Sequence, residues 1–187
     1  MQRTFIALKI EPERPMLDCF EDLRGNLGRE RIKWVDPGKL HITLYFLGDT
    51  DPAQVGAVKR ILDETVPLLA GPEVVFGGLG LFRNLRDPRV LWMGLEPADA
   101  LSGLKAGLDR ELAQLGFPPE ERRFTPHLTL ARIKSLKDRE TLKILLEKYR
   151  DTEFQKNRFD EVIYYESILH PGGPEYIPLK KVGFKVN

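Results

Sequence analysis

His41-Ile42-Thr43-Leu44 and His127-Leu128-Thr129-Leu130 are near-copies of one another, and the fold follows from reading both as strands. Successive side chains of a strand alternate faces, so His and Thr share one face of each tetrad while Ile or Leu and the closing Leu share the other. Each tetrad thus presents an imidazole and a hydroxyl on an open face and an apolar face to a core. The two histidines stand 86 residues apart. The same offset carries Phe5 onto Leu91, and both fall in stretches with strand character.

Working outward, Thr4 to Ile10 reads as a strand, and Met16, Phe20, Leu23 and Leu27 give helical spacing over Pro15 to Leu27, ended by Gly28. The first tetrad opens a strand over Leu40 to Leu47. Asp51-Pro52 starts a helix with Val55, Val58, Ile61, Leu62, Val66 and Leu69 on its apolar stripe. Strands follow at Glu73 to Phe82 and Val90 to Leu95. The order then repeats: a helix over Ala98 to Leu115, a strand over His127 to Ile133 and a helix over Leu136 to Tyr149. Strands at Glu153 to Phe159, Val162 to Leu169 and Tyr176 to Val186 close the chain, with a turn at Pro171-Gly172-Gly173-Pro174. The expected fold is α+β and mainly antiparallel. It is bilobal, with two lobes related by a pseudo-two-fold, outer helices, and motif strands facing a central cleft. No linker rich in Gly, Pro or Ser divides the halves, so residues 1–187 are expected to form one bilobal domain.

The composition excludes several classes. With 42% hydrophobic and 30% charged residues the chain is a globular type, long enough to bury a core without staples. Cys19 is the only cysteine, which rules out an intramolecular disulfide and the cysteine-rich zinc sites, and points to a reducing cytoplasm. No apolar run reaches the ~20 residues of a membrane helix, and Met1 to Ile10 lacks a signal-peptide block, so neither a membrane nor export is expected. The net charge of +1 does not suit a protein that coats nucleic acid, although residues 122–187 carry +5 and the remainder −4. Gly77-Gly78-Leu79-Gly80 lacks the Lys of a phosphate-binding loop, and no two histidines stand one helical turn apart as in zinc hydrolases.

Two His-x-Thr faces across one cleft suit phosphodiester chemistry without metal or cofactor. Imidazole, with an ordinary pKa of about 6.5, serves near neutrality either as base toward water or as acid toward a leaving oxygen. Threonine hydroxyls suit the non-bridging oxygens as charge gathers on them. A lone His-x-Thr would be an ordinary half-buried pair; the matched tetrads argue for function. His170 has no Thr two residues on and reads as a turn residue, Cys19 as an inert core thiol, and Trp34 and Trp92 as packing.

The double motif resembles that of the 2H phosphoesterase superfamily. The flanks are similar to one branch, the RNA 2′,3′-cyclic phosphodiesterases, also called 2′–5′ RNA ligases. The matching stretches are Arg3-Thr4-Phe5-Ile6-Ala7, His41 through Gly48, Pro88-Arg89-Val90-Leu91-Trp92, Phe124 through Arg132, and Tyr164-Tyr165-Glu166-Ser167 with Tyr176, Leu179 and Phe184. The resemblance implies His41 and His127 as catalytic acid and base, assigned in that order, with Thr43 and Thr129 contacting phosphate. The implied substrate is RNA or a nucleotide ending in a 2′,3′-cyclic phosphate, opened to a 2′-phosphate. Arg132 is a candidate phosphate ligand. Strict alternation places it opposite Thr129, so it reaches the site only if the strand twists or ends there. Phe5 is a candidate for base stacking, against the plainer reading of a core phenylalanine. A monomer is expected. Two other readings stay open: the reverse reaction, joining RNA ends through a 2′–5′ linkage, and a recognition module that binds RNA without turnover.

Overall fold

The helices and strands of the computed structural model, which describes residues 1–118 and 123–185, follow the expected order. The elements are β1 (Gln2–Lys9), α1 (Arg14–Asn26), β2 (Arg31–Trp34), β3 (His41–Thr50), α2 (Pro52–Thr65), β4 (Glu73–Phe82), β5 (Val90–Glu96), α3 (Ser102–Ala113), β6 (Leu128–Ser135), α4 (Arg139–Lys148), β7 (Glu153–Arg158), β8 (Glu161–His170) and β9 (Gly173–Gly183). Local chemistry sets several ends. Asp51 caps α2, its carboxylate accepting from the Gln54 amide at 2.8 Å, and Pro52 occupies the first turn. Asp138 accepts from the Thr141 amide at 3.0 Å, so α4 starts at Arg139 rather than at Leu136. The last expected strand stops at Gly183, and Val186 lies outside the described residues. The short β2 was not anticipated; its Ile32 and Trp34 alternate with charged residues over only four positions.

The strands form two antiparallel sheets, of order β3-β1-β8-β9 and β2-β6-β5-β4-β7. The α+β class and the two sheets are as expected, but the sheets do not follow the two halves of the chain. β8 and β9, late in sequence, complete the first sheet beside β1, whereas β2 and β4, from the first half, belong to the second. The helices trade places as well: α1, which follows β1, packs on β7 of the second sheet, and α3, which follows β5, packs on β3 of the first.

One large apolar core joins both sheets to the helices. A smaller cluster of Phe5, Ala7, Ile163 and Tyr165, with Tyr176 against it, lies apart from it on the first sheet. β1 therefore has both faces covered, Ile6 and Leu8 in the main core and Phe5 and Ala7 in the small one, which is why its sequence alternates only roughly. The glycine run Gly77-Gly78-Leu79-Gly80 is a bulge within β4. Gly78 takes φ +61, and a side chain at Gly80 would fall 2.2 Å from the Trp92 ring. Among the described residues no helix is long and apolar enough to cross a membrane.

Candidate active site

Each tetrad opens with its histidine anchored the same way. The Nδ1 of His41 lies 2.8 Å from the Lys39 carbonyl, and the Nδ1 of His127 lies 2.8 Å from the Thr125 carbonyl, each two residues back. A carbonyl only accepts, so Nδ1 carries the proton in both rings, and each neutral imidazole keeps a free lone pair on Nε2. Aromatic rings fix the planes: Phe5 and Tyr176 both pack at 5.1 Å from His41, and Phe82 meets His127 edge-on at 4.5 Å.

Beyond the histidines both strands break alternation at the same place. Against β1, Thr43 pairs with Ala7 and Tyr45 with Ile6; against β5, Thr129 pairs with Trp92 and Ala131 with Leu91. The closing leucine of each tetrad, Leu44 or Leu130, is the extra residue of a bulge. It and its successor, Tyr45 or Ala131, are all buried to 3% or less. The bulge restores the open face one residue late, so Phe46 shares the face of Thr43 and Arg132 that of Thr129. This overturns the strict alternation that sent Arg132 away, and Arg132 lines the cleft together with His41, Thr43, Phe5 and Phe46. The ladder also corrects the offset in β1: Phe5 faces Phe46 as Val90 faces Arg132, so Phe5 matches Val90 rather than Leu91.

Phe5 is only 4% exposed, its ring packed among His41, Tyr165 and Tyr176 in the floor beneath the imidazole. Phe46, by contrast, is 43% exposed, with the Arg3 guanidinium 4.8 Å above its ring. His170 ends β8 in solvent, its Nε2 2.9 Å from Glu175, and burial pushes the Cys19 thiol up to about 12, which leaves it inert. Trp34 meets Phe20 edge-on at 5.5 Å while also bordering the cleft.

Electrostatics couples the two sides. Burial holds the His41 imidazole below its ordinary pKa of 6.5, the bond to the Lys39 carbonyl opposes this, and the charge of protonated His127 lowers it further. His127 is lowered likewise by burial, against its bond to Thr125, and then by the Arg132 guanidinium. A buried lysine ties the approaches together: Lys105 of α3, ion-paired with Asp109, lies 4.8 Å from the Tyr45 ring of β3 and 5.8 Å from Phe124, three residues before His127. The sequence reading missed Lys105, Tyr176, Phe82 and Phe46. Two of them had a signal there: Phe46 precedes Arg132 by the same 86 residues that separate the histidines, and Tyr176 stands among the residues that match the resembled family.

No three His, Cys, Asp or Glu side chains gather as metal ligands among the described residues. The cleft itself is lined by the His41 imidazole, the Thr43 hydroxyl and the Arg132 guanidinium; Thr129 shares the face of Arg132 on β6, and His127 stands near enough for its charge to act on His41 and that of Arg132 to act on it.

The model of the 2′-5′ RNA ligase superfamily matches residues 11–166. An RNA 2′,3′-cyclic phosphodiesterase of Aquifex aeolicus is 40% identical over 77% of this chain and 77% of its own length. One of the same name from Methanothermobacter thermautotrophicus is 32% identical over 88% of this chain and 94% of its own. A crystal structure of a Thermus thermophilus protein superposes with a TM-score of 0.80 at 25% identity, covering 98% of each chain.

Proposed function

This chain belongs to the 2′-5′ RNA ligase superfamily, and from that premise we propose how its cleft carries out the reaction. The activity is that of an RNA 2′,3′-cyclic phosphodiesterase, the name borne by relatives 32% and 40% identical over most of both lengths. The observation that carries the mechanism is the matched anchoring of the imidazoles, which leaves Nε2 of each as the working atom. His127, neutral, takes a proton from water as its oxygen attacks phosphorus. His41, protonated, gives the Nε2 proton to the departing 3′-oxygen, so the product carries a 2′-phosphate. Thr43 and Thr129 donate to the non-bridging oxygens, and Arg132 balances their charge. Phe5 supports the His41 ring from below. The reaction as drawn uses no metal or cofactor, and the working form is a cytoplasmic monomer in which residues 1–187 act as one unit.

The test is an RNA ending in a 2′,3′-cyclic phosphate, incubated with the protein in EDTA. Full turnover to a 2′-phosphate is expected. Strong inhibition by EDTA overturns the metal-free mechanism, a 3′-phosphate product overturns the assignment of the leaving oxygen, and binding without turnover makes the protein a recognition module.

The lowered imidazole pKa values set the pH dependence. One ring must be neutral and the other protonated, and both titrate below 6.5, so above that pH the acid lacks its proton. We expect kcat/KM to peak on the acid side of 6.5 and to fall towards pH 8; a rate flat across that span would contradict the pairing. Arg132→Ala removes one cause of the His127 depression, so the His127 resonance should titrate at higher pH while that of His41 moves less.

A further inference from the structure

The cleft beside His41 encloses about 580 Å³, within the range of pockets that hold a whole small ligand, and its wall is unevenly charged. Arg3, Lys33, Lys39 and Arg132 border it, with Asp36 as the one carboxylate, an oxygen of which accepts from the Gly38 amide at 2.9 Å. None of the four cations takes part in an ion pair among the described residues. Elsewhere on the surface Arg83 and Arg89 share Asp87, and Lys148 holds Asp22.

Two of the four stand directly opposite one another. Lys33 of β2 pairs in register with Arg132 of β6, which puts both side chains on the cleft face of the second sheet. Like charges at directly opposed sheet positions repel, and among the described residues no acidic side chain forms an ion pair with either. The tip of the β8–β9 hairpin comes across from the first sheet to meet them. Lys39 Nζ donates to the Pro174 carbonyl at 2.9 Å, and Lys33 Nζ lies 4.0 Å from the point where a side chain on Gly173 would begin. Because Gly172 and Gly173 carry no side chain, the end of the cleft next to Lys33 stays unfilled.

We propose that Lys33, beside Arg132, is a second phosphate site that receives the internucleotide phosphate next to the cyclic end. This rests on the reaction proposed above and narrows its substrate to strands of two or more nucleotides. Arg132 serves the reacting phosphate, Lys33 the one before it, and an anion between them relieves their repulsion. The site reads backbone charge rather than base identity, so it carries no sequence preference.

The experiment compares kcat/KM on a cyclic mononucleotide, on a dinucleotide with the same cyclic end, and on that dinucleotide with an uncharged methylphosphonate linkage, using wild-type protein, Lys33→Ala and Lys33→Glu. Wild type should favour the charged dinucleotide over the mononucleotide by about tenfold, the size of one charge-assisted contact. The methylphosphonate should erase that preference in wild type and change nothing in Lys33→Ala. Both variants should keep mononucleotide kinetics within about twofold, and the salt slope for the charged dinucleotide should flatten by about 0.7. Equal losses on all substrates would mark Lys33 as merely structural, and a preference that survives in Lys33→Glu would place the second phosphate elsewhere; either overturns the site while leaving the reaction intact. If wild type turns over none of the substrates, the reaction is wrong and the site falls with it.

Discussion

Replacing either His41 or His127 with alanine is expected to lower kcat on a cyclic-phosphate RNA by at least about 10²-fold, with little change in KM. In the proposed mechanism each imidazole handles one proton in the same transition state, so the double variant should be scarcely slower than either single one, as happens when groups act as a unit. On the same proposal, Thr43→Ala and Thr129→Ala remove a donor to charge that Arg132 also balances, and should cost less than either histidine. Folding offers no alternative explanation. His41→Ala loses the ring contacts with Phe5 and Tyr176 and the hydrogen bond to the Lys39 carbonyl, about 1–2 kcal/mol together, so thermal unfolding should move only modestly. Full activity in one alanine variant would exclude that residue from proton transfer, and a large rise in KM alone would make it a binding group.

The largest effect on stability is expected from Phe76→Ala. The ring is fully buried in β4, between Leu95 of β5 and Gln155 of β7 in the ladders. Truncation loses the transfer energy of the ring and leaves a hole that sheet hydrogen bonding on both sides keeps from collapsing. The cost should be about 3–5 kcal/mol, a large part of the ~5–15 kcal/mol that holds a domain of this size folded. Phe76→Leu keeps much of the volume and should cost well under half of that. Urea unfolding followed by circular dichroism measures both, and a loss under ~1 kcal/mol for the alanine variant would mean that the strand is not packed as described.

Much of this molecule was legible in its sequence because its strongest signals are local. The boundaries of β4 coincide with those read from its β-forming run, and α2 starts where Asp51-Pro52 says it should. The histidines are brought together by strands that repeat a four-residue pattern. What stayed hidden depends on partners distant in the chain. Arg132 turns into the cleft because Leu130 bulges, and a bulge shows only in how β6 pairs with β5. Tyr176 reaches His41 only because β9 folds back beside β8, and Lys105 reaches Tyr45 only because α3 crosses to the other sheet. No periodicity within one segment encodes such meetings.

That exchange of strands and helices has a consequence for motion. His41 opens β3 of one sheet and His127 immediately precedes β6 of the other, an arrangement that in many enzymes would let two bodies swing apart on a hinge. Here each sheet is stitched from strands of both halves of the polypeptide, so swinging them apart would strain several crossings at once. Among the described residues, the two sheets that carry the tetrads are thereby held in a relation settled during folding, and a substrate would meet them already set.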